Sequence, residues 1–461
     1  MSGSEKEENQ SLEHVFEKPA ELLEKGVEII EKGEKTIASK IPLKRAEKYW
    51  HTLGPGLITG ASDDDPSGIA TYSQAGARYG FQMLWMSWFT FPLISVIQEM
   101  CARIGLVTGH GLAANIRRHY SKRTLYVITT LLFVANTFNI GADLGAMAKG
   151  AQLVVPKMNF ALLVIGFGVI CLVLQIFTTY ANYAKYLKYL AFVLLAYIAS
   201  ALMSHLDWAL VWKGIVAPTL TWGKDQIFMI CAVLGTTISP YLFFWQTSQE
   251  VEEQNLQNGE EEKKWHQNVS GEQLSNLKTD VWSGMFFSNL VMFFIMAACA
   301  GTLFSNGITN IETAADAALA LRPFAGNFAY ILFAIGIVGT GMLAIPVLAG
   351  STSYAITESF GWKHGLYRKL KDGYAFYGVI IVSVICGILL NFIGLDPIKA
   401  LIYSAFANAL IAPIIIVFIL GLSSNKTVMG PHANKKSANW IGWFTAILMG
   451  VSGIAAIWAL F

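Results

Sequence analysis

Residues 54–69 read Gly54-Pro55-Gly56-Leu57-Ile58-Thr59-Gly60-Ala61-Ser62-Asp63-Asp64-Asp65-Pro66-Ser67-Gly68-Ile69. An apolar run through Leu57 and Ile58 stops at three consecutive acids, and apolar character resumes at Ile69. Proline removes a backbone donor, and the serine and glycine beside it let the chain unwind. A helix is therefore expected on each side of an interruption at Asp65.

Everything around that interruption is apolar. Of 461 residues, 54% are hydrophobic and 14% charged, where a soluble chain carries roughly a quarter charged residues. The charges crowd into residues 1–50, and Phe160 to Tyr180 has none at all. A stretch of that length spans a ~30 Å hydrocarbon core as a helix. The chain therefore reads as an all-α integral membrane protein with a charged cytosolic tail at 1–50 and a transmembrane domain at 51–461. The tail alternates Glu and Lys with Leu, Val and Ile, the pattern of an amphipathic, partly disordered helix, and a solvated role is preferred to a regulatory one.

Eleven apolar segments are expected, at about 53–76, 81–107, 125–150, 159–179, 186–204, 227–249, 282–304, 327–357, 375–393, 398–421 and 439–460. Loops after even-numbered segments hold Arg117, Arg118, Lys122 and Arg123, then Lys185 and Lys188, then Lys363, Arg368, Lys369 and Lys371, then Lys426, Lys435 and Lys436. The loop after segment six is mixed, with Lys263, Lys264 and Lys278 beside several Glu, and loops after odd-numbered segments hold fewer positive charges, with Lys157, then Lys213 and Lys224, then Arg322. Positive charge stays inside, so the N-terminus is expected in the cytoplasm and the C-terminus outside, across the cell membrane. The five cysteines fall one each in apolar segments, which suits packing rather than disulfides.

A second interruption falls in segment six, at Gly235-Thr236-Thr237-Ile238-Ser239-Pro240. If segments 1–5 and 6–10 are inverted repeats (about 51–204 and 227–421, with a final helix at 439–460), the two breaks correspond. Paired broken helices are the best sequence pointer to a transporter binding site. A carboxylate near the bilayer midplane costs at least ~2.5–3.5 kcal/mol, so Asp65 implies a compensating ion or partner. The Ser62 carbonyl and the hydroxyls of Ser67, Thr236, Thr237 and Ser239 complete a set of hard oxygen donors, suited to Mg²⁺, Ca²⁺ or Mn²⁺. Blander roles stand beside these. Asp65 can cap a helix, Asp63 and Asp64 can face water in a vestibule, and Thr237 and Ser239 can bond their own backbone. Glu99 can face the vestibule or pair with Arg103, and Asp143 can line a cavity or meet a base. Asn136 and Asn139 suit helix–helix contacts, as does Asn408, whose helix can approach the site. The Met292-Phe293-Phe294 run reads as packing or lipid contact.

Gly54-Pro55-Gly56-Leu57 with Asp65-Pro66-Ser67-Gly68 resembles the first helix of the natural-resistance-associated macrophage protein (NRAMP) family, whose motif is Asp-Pro-Gly-Asn. The sixth segment, with Pro240 after a polar break, is similar to that family's Met-Pro-His helix. The resemblance covers roughly residues 50–460 and implies a LeuT-type (APC) fold with eleven helices and broken helices 1 and 6. Several positions depart from the pattern. Gly68 stands for the family's Asn, Ser239 for its Met, Tyr241 and Gln246 for its two His, and Ala146 for an acid near Asp143. These departures resemble the prokaryotic NRAMP-related magnesium transporters, which implies movement of Mg²⁺ and Mn²⁺ without proton coupling. Losing sulfur and the larger Asn leaves room for a partly hydrated Mg²⁺, which sheds water reluctantly. Losing histidines and an acid removes groups that relay protons.

Two other classes of carrier call for different residues. A proton-coupled Mn²⁺/Fe²⁺ carrier calls for the Met and His that segment six lacks, and a carrier of an organic solute does not call for a fixed acid at the break. An enzyme is not expected, because the eight histidines (His14, His51, His110, His119, His205, His266, His364 and His432) lie in the tail, loops or segment ends. The net charge of +2 gives no footprint for nucleic acid. The expected partners are the transported ion and membrane lipid, with no cofactor and no obligatory protein partner.

Overall fold

The computed structural model describes residues 53–178, 194–204, 206–221, 223–258 and 269–460. The tail, the first half of segment five and the basic centre of the loop after segment six lie outside the described residues. The helices are α1 (Pro55–Asp63), α2 (Pro66–Tyr79), α3 (Trp85–Thr108), α4 (Leu112–His119), α5 (Lys122–Val154), α6 (Phe160–Phe177), α7 (Leu195–Met203), α8 (Trp208–Val216), α9 (Lys224–Thr237), α10 (Pro240–Asn258), α11 (Gly271–Thr302), α12 (Ala329–Phe360), α13 (Tyr374–Leu390), α14 (Pro397–Ser424) and α15 (Lys436–Leu460). One-turn helices join some of them, and no strand occurs among the described residues.

Eight helical spans are long and apolar enough to cross a membrane, counting α9 with α10 as one, and α13 is a shorter apolar helix. The interrupted pair α1–α2 accounts for segment one, and α7 is the described end of segment five. The outward faces carry what lipid requires. Leu162, Val169, Val173 and Phe177 of α6 are exposed, as are Trp440, Val451, Ile454 and Trp458 of α15. In a bilayer these side chains meet hydrocarbon rather than water.

Two helix pairings exchange when segments 1–5 and 6–10 are exchanged. Segment one (α1, α2) packs on segment seven (α11), and segment six (α10) packs on segment two (α3). The third and eighth segments, α5 and α12, pack on each other along their lengths, and α13 and α14 also lie against α5.

Close packing on α11 explains the small residues of α1. A Cβ on Gly60 would lie 2.2 Å from the Gly284 carbonyl oxygen, and one on Gly284 would lie 2.1 Å from that of Gly56. Only glycine permits backbones to approach so closely, and membrane helices associate largely through such contacts. Asp280 of α11 then closes the exposed start of α1. Its carboxylate accepts the amides of Gly54, Gly56 and Leu57 at 2.8, 2.6 and 3.0 Å. These are three of the amides that the first turn of a helix leaves without partners. All five cysteines are free, four of them buried and Cys386 half-buried.

Candidate functional site

The first interruption is two residues long. Asp64 ends α1, and Asp65 opens α2 with φ −69° and ψ 172°. Pro66 dictates both events. It has no amide to continue the ladder of α1, and it drives the residue before it into extended backbone. Asp65 is consequently the N-cap of α2, its Oδ1 accepting the Gly68 amide at 2.7 Å. The second interruption repeats the plan, with Ile238 closing α9 and Pro240 opening α10.

The two breaks touch. The Tyr241 hydroxyl donates to the Ser62 carbonyl at 2.9 Å, and the Tyr72 and Thr237 hydroxyls lie 3.0 Å apart. The carboxylates of Asp65, Asp63 and Asp143 all lie within electrostatic reach of Tyr241. Asp63, Asp64, Asp65 and Asp143 are buried. The acids differ in how they are held. Asp65 has a donor on each oxygen, the second being the Asn139 side-chain amide at 3.0 Å from Oδ2. Asp63 accepts the Ser288 hydroxyl at 2.7 Å on one oxygen only. The oxygens of Asp64 and Asp143 make no hydrogen bond of ordinary geometry. Buried carboxylates held so sparsely need a cation, a proton or water as partner.

Of the residues singled out in the sequence, Ser62, Asp65 and Gly68 stand at the first break, and Thr236, Thr237 and Ser239 at the second. Asp143 joins them from α5, close enough for its charge to bear on Asp65. The Ser67 hydroxyl is engaged by α14: it donates to the Leu401 carbonyl at 2.8 Å and lies 3.1 Å from the Ser404 hydroxyl. Ser239 and Thr237 bond their own helix. Ser239 donates to the carbonyls of Gly235 and Thr236 at 2.9 and 2.7 Å, and Thr237 to that of Val233 at 2.8 Å. Gln246 accepts the Thr59 hydroxyl at 2.5 Å and donates to Glu250 at 2.9 Å, linking α1 to α10. Glu99 takes the Arg103 option, at 3.5 Å, and also accepts the Trp282 indole at 2.8 Å. Asn408 is buried one turn beyond Ser404 on α14, with its amide oxygen unpartnered. Asp63 and Asp64, with a water-facing vestibule among their readings, are sealed from solvent in this conformation.

Three participants escaped the sequence reading. Asn139, grouped with Asn136 as a helix–helix contact, bonds the central acid; Asn136 does join helices, donating to Leu348, Ser351 and Thr352 of α12. Ser404 donates to Asn139 Oδ1 at 2.7 Å. Met292, read as packing, is buried with its sulfur 3.7 Å from the Thr237 hydroxyl. Sequence separation hid them, since nothing in the local pattern around 139, 292 or 404 points to residue 65 or 237. No three His, Cys, Asp or Glu side chains among the described residues gather into a metal cluster.

Two broken helices meeting around buried acids are the arrangement of a helical membrane transporter's binding site. The chain belongs to the natural resistance-associated macrophage protein-like family, whose profile matches residues 56–459. A curated relative, the divalent metal cation transporter MntH of Klebsiella pneumoniae subsp. pneumoniae, is 26% identical over 407 residues, covering 87% of this chain and 92% of its own. The fold resembles the Eremococcus coleocola manganese transporter, solved with an aromatic bis-isothiourea compound, at a TM-score of 0.72 and 19% identity over 90% of this chain and 87% of that one. It is also similar to Mhp1, a nucleobase-cation-symport-1 family transporter in a closed conformation, at 0.53 and 15% identity over 88% and 91% of the two chains. The likeness to these two structures is one of LeuT-type architecture.

Proposed function

We propose that this protein imports Mg²⁺, and with it Mn²⁺, by alternating access without coupling to protons. The observation that carries the reading is Asp65, a buried carboxylate between two broken helices that touch through the Tyr241–Ser62 hydrogen bond. The carbonyls at the end of α1 point their partial negative charge toward the same place, which favours a cation. Family membership and the names of the metal-transporting relatives support a divalent ion as cargo.

The choice of Mg²⁺ rests on what the breaks offer. Serine replaces a thioether at 239 and glycine replaces an amide at 68, so the set is hard oxygen with space for retained water. Met292 favours keeping Mn²⁺ as a second cargo, because its sulfur stands beside Thr237. The absence of histidine from the breaks and Ala146 in place of an acid support uncoupled transport, driven by a membrane potential worth ~2.3 kcal/mol per charge per 100 mV. In this reading residues 51–204 and 227–421 are inverted repeats, the final helix lies at 439–460, and the N-terminus is cytoplasmic.

The test is Mg²⁺ uptake into liposomes holding the purified protein and an internal pH dye, with Asp65→Ala as control. Uptake that follows an imposed potential with no change in lumenal pH is expected, and Asp65→Ala should abolish it. Acidification tracking the metal would restore the proton-coupled alternative, and no metal flux would point to an organic solute.

A further inference from the structure

Asp65 is held by a relay that starts two helices away. The Ser404 hydroxyl of α14 donates to Asn139 Oδ1 at 2.7 Å, and Asn139 Nδ2 of α5 donates to Asp65 Oδ2 at 3.0 Å. The Gly68 amide fixes the other carboxylate oxygen at 2.7 Å. The relay has only one workable direction. Turning the Asn139 amide over would set its oxygen against the Asp65 carboxylate; in the present direction that oxygen accepts the Ser404 hydroxyl, which also lies 2.7 Å from the Leu401 carbonyl. Ser404 is itself 3.1 Å from Ser67, the second residue of α2. The ring of contacts therefore runs from α2 through α5 to α14 and back to α2.

With one donor on each oxygen, the Asp65 carboxylate is fixed in plane and rotamer. Each oxygen keeps a further lone pair. A cation arriving between the breaks thus meets a carboxylate that is already oriented, so less ordering entropy opposes its capture. A hydrogen bond to an ionised group at this depth is stronger than its counterpart in water. Asn136, three residues earlier on the same helix, makes a useful contrast, since its amide serves α12 and touches no acid.

We propose that Asn139, held by Ser404, is the positioning residue that presets Asp65 for the transported dication. The proposal rests on the transport reading above and deepens it. It also extends the ion site to α14, since Ser404 holds the oxygen end of the amide that α5 supplies.

The experiment measures the concentration dependence of Mg²⁺ uptake in proteoliposomes for the wild type, Asn139→Leu, Ser404→Ala and the double variant. Leucine keeps the volume of asparagine and removes its amide. Loss of a group that orients a metal ligand typically costs 10–100-fold in affinity, so Asn139→Leu should raise KM by about that factor with the maximal rate little changed. Ser404→Ala should raise KM less, in the same direction. Because both act through one relay, the double variant should be no worse than Asn139→Leu. Asn136→Leu should lower thermal stability and leave KM alone.

An unchanged KM in Asn139→Leu, or effects of the two substitutions that simply multiply, overturns the proposal. Should Asn139→Leu fail to fold, an unchanged KM in Ser404→Ala overturns it by itself. Asp65→Ala separates the two levels. Full uptake there defeats the site assignment as a whole, whereas a dead Asp65→Ala beside a normal Asn139→Leu defeats only the positioning role.

Discussion

Tyr241, the residue after the proline of the second break, donates its hydroxyl to the carbonyl of Ser62 in the first, at 2.9 Å. This bond joins the two broken helices, beside the Tyr72–Thr237 and Thr59–Gln246 contacts. It also occupies one lone pair of a carbonyl proposed to face the ion, and leaves the other free. Tyr241→Phe keeps the buried ring and deletes the donor. The expected outcome is a loss of about 0.5–1.5 kcal/mol of stability, read from denaturant unfolding in detergent, with Mg²⁺ uptake retained. Complete loss of uptake in a well-folded Tyr241→Phe protein would show that the hydroxyl serves the ion directly.

Asp65 has a structural job as well as the proposed chemical one, because it caps α2. Asparagine caps helices about as well as aspartate. Asp65→Asn should therefore still fold with α2 capped, as read by thermal unfolding, while losing dication uptake. If capping were the whole role of this residue, the variant would transport normally. The pair of measurements separates the two roles within a single protein.

The glycines of α1 and α11 offer a prediction about assembly. A methyl group on Gly284 would sit 2.1 Å from the Gly56 carbonyl oxygen, with backbone on both sides of the collision. Gly284→Ala must push α1 off α11 and should cost about 1–3 kcal/mol. Lower purification yield and a lower unfolding midpoint would register it. Gly450 on α15 is the matched control, since a Cβ there meets nothing within 4 Å. Gly450→Ala should be silent in both measurements.

Much of this organisation was legible in the sequence, for identifiable physical reasons. Hydropathy exposes membrane helices because lipid solvates no free backbone group. Pro66 and Pro240 mark the breaks because proline acts locally, on the preceding turn and the preceding residue. Asp65 stood out because a buried acid is costly wherever it falls. What stayed hidden was non-local. Asp280 is an ordinary acid in an amphipathic stretch until folding places it on the amides of Gly54, Gly56 and Leu57. Asn139 and Asn136 look alike in sequence, three residues apart on one helix, yet one bonds an acid and the other joins α12. Hydroxyl orientation is hidden for a different reason. Whether Ser239 faces an ion or its own backbone depends on a single rotamer, and in this conformation it bonds Gly235 and Thr236.

That rotamer shapes the selectivity prediction. With its hydroxyl turned onto the last turn of α9, Ser239 gives the ion little beyond the space it leaves. Ser239→Met fills the space with a thioether, which favours Mn²⁺ over Mg²⁺. Gly68→Asn adds an amide where a Cβ would stand 3.2 Å from the Asp63 carbonyl oxygen and 3.5 Å from Asp65 Oδ1, tight but reachable by small shifts. The double variant should raise the Mn²⁺ to Mg²⁺ uptake ratio about tenfold, equivalent to ~1.4 kcal/mol of discrimination. Met292 supplies the opposing experiment. Its sulfur lies 3.7 Å from the Thr237 hydroxyl, so Met292→Leu should lower the ratio, by less than the double variant raises it. A ratio unmoved by Ser239→Met and Gly68→Asn but collapsed by Met292→Leu would transfer selectivity from the two breaks to α11.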